Sequence, residues 1–207
     1  EKKVERKREF PPYLFNLSNL QGYITSKYKG WTSEKVLKVA QSLYEKKYIT
    51  YPRTASVVLE QSLVGKVANV VEKLKKGLPY ENEIKFKVTK RNFDNSRVES
   101  HSAIVPTYVI PKSLSKDEQI VYTAIKNRLL MQFMPVAEYE ETKLITMVEN
   151  ENVQGHFLSK GKVQLVEGWK KVEKQDTKDT FLPNVNEQEI VQVVDQNVTS
   201  HVTKPPN

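Results

Sequence analysis

The sequence predicts an α+β protein, a helical domain followed by an antiparallel β domain. Three observations carry that prediction. Apolar residues recur at helical spacing behind recognisable N-caps between residues 18 and 135. Beyond Pro135 the pattern changes to the alternation of extended chain. Pro135 itself punctuates the change, which places the domains at 18–135 and 136–207 behind a lead of residues 1–17.

Glu1 to Phe10 is almost wholly charged and has no apolar period, so it reads as a solvated lead or connector. Pro11 and Pro12 break the chain before Tyr13-Leu14-Phe15. Ser18-Asn19-Leu20-Gln21 has the S-x-x-Q form of a capping box. In the next helix Thr32 or Ser33 is the cap and Glu34 suits the positive N-terminal end. Val36, Leu37, Val39, Ala40, Leu43 and Tyr44 form its apolar face. A third helix is expected from Val57 to Lys75, ended by Gly77 and Pro79, and a short strand from Ile84 to Val88. A fourth starts at the capping box Ser115-Lys116-Asp117-Glu118 and runs to Phe133.

Past Pro135, strands are expected at Glu138–Glu149, Val153–Leu158, Val163–Val172, Ile190–Asp195 and Val198–Lys204. Turn signals separate them at Glu149-Asn150-Glu151-Asn152, Lys160-Gly161 and Leu182-Pro183-Asn184. The charged lead and the abrupt Thr203-Lys204-Pro205-Pro206-Asn207 ending suggest a piece of a longer protein.

Composition narrows the function classes. The 207 residues hold no cysteine, which excludes disulfides and thiolate metal sites and fits a cytoplasmic location. No stretch approaches the roughly 18–20 apolar residues of a membrane span. The net charge of +8, from 33 Lys+Arg against 25 Asp+Glu, suits a polyanionic partner but decides nothing by itself.

The chemistry concentrates at Tyr48-Ile49-Thr50-Tyr51-Pro52-Arg53-Thr54, just past the second helix. Pro52 biases Tyr51 toward extended backbone, where residues i and i+2 project to one side. Tyr51 and Arg53 would then face one phosphate together. A free phenol, with a pKa near ~10, is a poor nucleophile at neutral pH. A guanidinium beside it stabilises phenolate and grips non-bridging oxygens. Read locally, a Tyr beside an Arg is more often packing plus a surface charge.

A resemblance changes that weighting. Leu43-Tyr44-Glu45-Lys46-Lys47-Tyr48-Ile49-Thr50-Tyr51-Pro52-Arg53-Thr54 resembles the active-site segment of type IA DNA topoisomerases, a helix ending L-Y-E followed by [IL]-T-Y-x-R-[ST]. Pro after the Tyr is more similar to the topoisomerase III branch. His101-Ser102-Ala103-Ile104-Val105-Pro106-Thr107 resembles the family's H-x-A-I-x-P-[ST] segment, and Thr203-Lys204-Pro205-Pro206 its T-K-P-P run. One departure is Ala55, where relatives often carry Asp; a hydrogen bond from that position is then lost unless Ser56 supplies it.

The resemblance implies a helical domain bearing the nucleophile Tyr51, then a β domain forming part of a toroidal gate. It implies an ATP-independent isomerase that cleaves single-stranded DNA through a 5′-phosphotyrosine, passes a strand and rejoins. Tyr51, Arg53 and His101 would be catalytic, with Arg53, His101 and Ser102 contacting nucleic acid. A His with a pKa near ~6.5 suits a phosphate contact or a proton donor to the departing 3′ oxygen. The family's Mg²⁺ is held by a Toprim domain whose D-x-D-x-E pattern is nowhere in these residues, so they are expected to bind no metal and to be inactive alone. Asp176, Asp179, Glu138, Glu140 and Glu141 have the wrong spacing and read as solvated faces. There is no P-loop, so no nucleotide partner is implied, and His156 and His201 read as structural or exposed.

Two other readings compete. Tyrosine recombinases and type IB topoisomerases place H-x-x-R before a C-terminal Tyr, whereas Tyr51 precedes His101 and Ile104 stands where that Arg would be. A non-catalytic basic DNA-binding module would use Tyr51 only to stack on a base.

Overall fold

A computed structural model describes residues 1–149, 154–173, 178–192, 197 and 199–203. Four helices, α1 (Leu17–Lys27), α2 (Ser33–Glu45), α3 (Val64–Leu74) and α4 (Lys116–Met131), lie between the first and second strands of an antiparallel sheet. The strands are β1 (Lys2–Glu9), β2 (Ala137–Glu149) and β3 (Gln154–Val166), in the order β1-β2-β3. The α+β class is as expected, but the helical part is inserted into the sheet rather than preceding it.

The segment read as a solvated lead is β1, paired from Lys2↔Leu144 to Glu9↔Ala137. It lacks an apolar period because it is an edge strand stabilised across the ladder by charge: Arg6 binds Glu138, and Lys7 binds Glu141. Opposite charges on neighbouring strands stabilise a pair, and charged side chains protect an exposed edge.

Helix starts follow side-chain caps. The cap of α1 is Asn16, whose Oδ1 accepts from Asn19 N at 2.8 Å, not the Ser18 box; Gln21 instead donates to Ser33 O. Thr32 caps α2. Ser115 and Glu118 form the expected reciprocal box on α4, at 3.2 and 3.1 Å. The third helix is shorter than expected: a 3₁₀ turn at Gln61–Leu63 leads into α3 at Val64. Residues 57–60 form no helix because residues 92–94 take the backbone groups of Leu59, with Leu59 N donating to Asn92 O and Asp94 N to Leu59 O. Tertiary hydrogen bonding overrides local helix preference there.

The expected strand at Ile84–Val88 is absent. Lys85 N donates to Phe133 O, and Phe86 stacks on Phe133 with ring centroids 4.7 Å apart. Lys160-Gly161 is not a turn, since β3 runs through it unbroken. A Cβ at Gly161 would lie 2.9 Å from Thr180 O, which accepts from Lys162 N. The glycine lets a neighbouring segment approach. After β3 the chain forms a 3₁₀ turn at Gly168–Val172 instead of continuing as a strand. Described residues 190–192 and 199–203 form no strand; Ile190 is 98% and Val202 90% exposed, so no partner sheet covers them. Residues 150–153, 174–177, 193–196, 198 and 204–207 lie outside the described residues. They include parts of the expected 149–152 turn and terminal strands, Asp176, and Lys204-Pro205-Pro206 of the terminal motif.

Two apolar cores meet along α4. One gathers Phe15, Leu20, Ile24, Val36, Ala40, Leu43, Ile49, Ile104, Val121 and Ile125. The other gathers α3, Phe93, Ala103, Val105, Leu129, Phe133, Ala137 and Trp169. The extended run Ala103-Ile104-Val105 sends alternate side chains into the two cores, as strand geometry requires.

Glu118 joins α4 to the end of α2. One carboxylate oxygen accepts from Lys46 Nζ at 2.6 Å and Ser42 Oγ at 3.0 Å, the other from Ser115 N. Chiefly the Lys46 bond, and then the hydrogen bonds from Ser115 and Ser42, hold this buried carboxyl down at about 2 against the cost of burial. A depressed carboxyl contributes stability that is full above its unfolded value, near ~4.5, and is lost as pH falls through the folded value. Glu118→Gln is therefore expected to lower stability by about 2 kcal/mol at pH 7. The gap to wild type should close as pH falls from about 4.5 toward 2, which denaturant titrations across that range would measure.

Candidate active site

The end of α2 aims the tyrosine segment. Lys47 adopts a left-handed conformation, φ 63°, and Tyr48 N closes on Leu43 O at 2.9 Å, which stops the helix and turns the chain out. Tyr48–Thr50 then pairs antiparallel with Val105–Thr107: Thr107 N donates to Tyr48 O and Thr50 N to Val105 O, both at 2.9 Å. Thr50 Oγ1 adds a second stitch, donating to Ala103 O and accepting from Val105 N at 3.0 Å each. On the far side of Tyr51, Thr54 Oγ1 donates to His101 O at 3.0 Å.

The two motif segments, about fifty residues apart in sequence, are thus stitched on both sides of Tyr51. The rings of Tyr51 and His101 lie 4.7 Å apart, tilted by 52°. Tyr44, on the last turn of α2, meets Tyr51 edge-on at 5.3 Å. Tyr51 is half-buried and His101 exposed. Neither the Tyr51 hydroxyl nor the His101 ring has a hydrogen-bond partner among the described residues, so both are free to act on a ligand.

Arg53 is exposed and forms no hydrogen bond or ion pair among the described residues. The chain bends at Pro52 and Arg53, so the i, i+2 alternation expected of an extended strand does not fix its direction. Ser102 is turned to a backbone role, its Oγ accepting from Glu60 N at 3.2 Å. Ser56 does not replace the Asp lost at Ala55: its buried hydroxyl donates to Val58 O. His156 and His201 are exposed, His156 on β3 opposite Met147.

Two other tyrosines are set apart by burial. Burial first, and then the 2.6 Å bond to Glu173, push the Tyr23 hydroxyl up to about 12. Burial pushes Tyr122 up to about 12 as well. Both are harder to deprotonate than a free phenol, and neither flanks a motif. The threonine stitching and the Tyr44 contact were not anticipated from sequence; the Thr residues flanking Tyr51 at 50 and 54 were the available signal.

Among the described residues no three His, Asp or Glu side chains converge as a metal site requires. The described residues do not fit Mg²⁺. No helix among them is long and apolar enough to cross a membrane.

Thr50→Val would leave Ala103 O and Val105 N without their side-chain partner. The expected cost is about 2 kcal/mol of stability, from two lost hydrogen bonds in a half-buried place. Denaturant unfolding checks it, and a looser Tyr51–His101 pair should show as broadened His101 ring resonances.

A family model described as DNA topoisomerase matches residues 1–207. DNA topoisomerase 3 of Bacillus subtilis (strain 168) is 34% identical over 222 residues, covering 100% of this chain and 30% of that protein. DNA topoisomerase 3 of Bacillus anthracis is 32% identical over 219 residues, covering 98% and 29%. Full-length topoisomerase I from Thermotoga maritima superposes with a TM-score of 0.66 at 28% identity, over 91% of this chain and 31% of that one. The chain spans about 30% of the length of the curated relatives it matches.

Proposed function

The chain belongs to the DNA topoisomerase family, and on that premise we propose that it is the tyrosine-bearing arm of a type IA, topoisomerase III-like enzyme. The observation that supports this reading is the free Tyr51 phenol held 4.7 Å from the free His101 ring by two stitched segments. Residues 18–135 are the domain that carries the nucleophile, and the sheet, β1 included, is part of the gate.

The reaction is a transfer of one phosphodiester bond. The Tyr51 oxygen attacks phosphorus, the bond to the 3′ oxygen breaks, and the 5′ phosphate stays on the protein. The phenol loses one proton and the departing 3′ oxygen gains one. His101 holds the phosphate and supplies that second proton. Arg53, exposed and unpaired among the described residues, closes on a non-bridging oxygen when DNA is present. The phosphotyrosine conserves the energy of the broken bond, so rejoining needs no nucleotide. Acidic Mg²⁺-binding residues, which do not gather among the described residues, are supplied by another portion of the protein, and the present residues alone are inactive. The substrate is single-stranded DNA in the cytoplasm.

The test uses the intact protein containing this chain, with single-stranded oligonucleotides labelled at either end and trapped by denaturation. A protein adduct on the 5′ phosphate is the expected result. An adduct on the 3′ phosphate, or DNA binding with no adduct under Mg²⁺, would overturn it in favour of recombinase-like chemistry or a binding module.

A further inference from the structure

Between β1 and α1 the chain exposes two aromatic rings ringed by arginines. Phe10 is 52% and Tyr13 38% exposed, although large aromatic side chains usually find cover. The Arg91 guanidinium lies 4.0 Å from the Tyr13 ring centroid and 5.6 Å from that of Phe10. Arg97 lies 5.0 Å from Tyr13, and Arg8 5.6 Å from Phe10. Arg91 is anchored by a bond to Pro11 O. Among the described residues neither Arg91 nor Arg97 has a carboxylate within ion-pair distance; Asp94 is occupied with Ser96. Arg8 has one distant partner, Glu138 at 3.9 Å.

Hydrogen bonds tie the segments that carry this cluster to the segment that carries Tyr51. Leu17 N donates to Thr54 O at 3.2 Å and the Asn16 side chain to Ala55 O at 3.0 Å. Ser56 Oγ reaches Arg97 O at 3.5 Å. Arg97 stands four residues before His101, at most about 14 Å of fully extended chain.

We propose that Phe10, Tyr13, Arg8, Arg91 and Arg97 form a stacking platform for single-stranded nucleic acid that leads to Tyr51, an inference that rests on the reading of Tyr51 given above. Phe10, half exposed with its guanidinium neighbours 5.6 Å away, accepts any base, Tyr13 is backed by Arg91, and the exposed Arg8 and Arg97 take the phosphates between successive bases. Packing of a connector explains contact between these side chains. It does not explain why both rings stay partly exposed, or why two of the three cations lack an ion-pair partner among the described residues. A duplex, with its bases paired and stacked, has no faces to offer, so the platform discriminates for single strands.

The experiment measures binding of the intact protein to labelled oligo-dT of about 15 nucleotides, within the site sizes of such grooves, and to a duplex of equal length. The double variant Phe10→Ala/Tyr13→Ala is expected to lose single-strand affinity roughly tenfold, with duplex affinity unchanged within about twofold. Tyr13→Trp should keep single-strand affinity, and Arg97→Glu should lower it and flatten its salt dependence. If the double variant misfolds, as judged by its melting curve, the Tyr13→Trp and Arg97→Glu pair decides. Single-strand affinity unchanged in the double variant, or in Arg97→Glu, while wild type still forms the Tyr51 adduct, overturns the platform and leaves the active-site reading standing. Wild type that neither binds single strands nor forms an adduct overturns both.

Discussion

Tyr51→Phe in the intact protein is expected to lose the covalent DNA adduct outright, at least about 1,000-fold below wild type, since no substitute nucleophile shares its position. The substitution is close to ideal for isolating chemistry. Phe keeps the ring that meets His101 at 4.7 Å and Tyr44 at 5.3 Å, so the packing of the site survives and only the attacking oxygen leaves. The hydroxyl makes no hydrogen bond among the described residues, so stability should change by less than about 0.5 kcal/mol. Single-strand binding should stay within about twofold, because the platform at Phe10 and Tyr13 and the cationic residues are untouched. Tyr44→Phe is the matched control. It sits beside Tyr51 but on α2, outside the stitched segment, and should retain the adduct. Adduct surviving in Tyr51→Phe and vanishing in Tyr44→Phe would move the nucleophile to the neighbour.

What the sequence disclosed divides along the range of the interactions involved. Helices α2 and α4 were legible because their starts are local: Thr32 bonds Lys35 N, and Ser115 and Glu118 bond each other. Strand β1 was not, because its pairing residues lie some 130 positions away and its stabilisation is charge across a ladder, which has no apolar period. Residues 57–60 and 84–88 failed for the same reason, since their backbone groups are claimed by Asn92, Asp94 and Phe133. Gly161 shows the ambiguity of a single glycine: the residue that suggests a turn serves instead to admit Thr180. At the site, spacing alone left Tyr51 and Arg53 as an ordinary pair, and the bend at Pro52 shows why that argument was weak. The resemblance singled out His101. The structure adds the physical link, the Thr50 and Thr54 hydroxyls that tie the two segments together on either side of Tyr51.

Gly168→Ala is expected to destabilise the chain by about 3 kcal/mol or more, a large part of the ~5–15 kcal/mol that holds a typical domain together. Gly168 sits at φ +53°, where a side chain costs roughly 1–2 kcal/mol. A Cβ there would also lie 2.4 Å from Pro135 O and 2.8 Å from Ala137 N. Those atoms are backbone and cannot rotate aside. Pro135 O accepts from Trp169 N at 2.9 Å, and Ala137 is fully buried. The glycine thus lets the 168–172 turn press against the point where the chain re-enters the sheet. From there Trp169 Nε1 donates to Glu9 O and Lys170 Nζ to the Glu9 carboxylate, both at 2.8 Å, which fixes the point where the chain leaves it. One turn clasps both crossings between the sheet and the inserted helical part. Alanine should lower the melting temperature by about 6–12 °C. Gly22→Ala in α1, where a Cβ meets nothing within 4 Å, should instead be neutral or stabilising by up to about 1 kcal/mol. The pair separates loss of a close approach from the general cost of replacing glycine. Below its melting temperature the Gly168 variant should still form the Tyr51 adduct, because the threonine stitches lie outside the clasp. If the clasp couples the two parts in motion, strand passage will fall further than cleavage does. Equal losses in the two would show that the clasp serves stability alone.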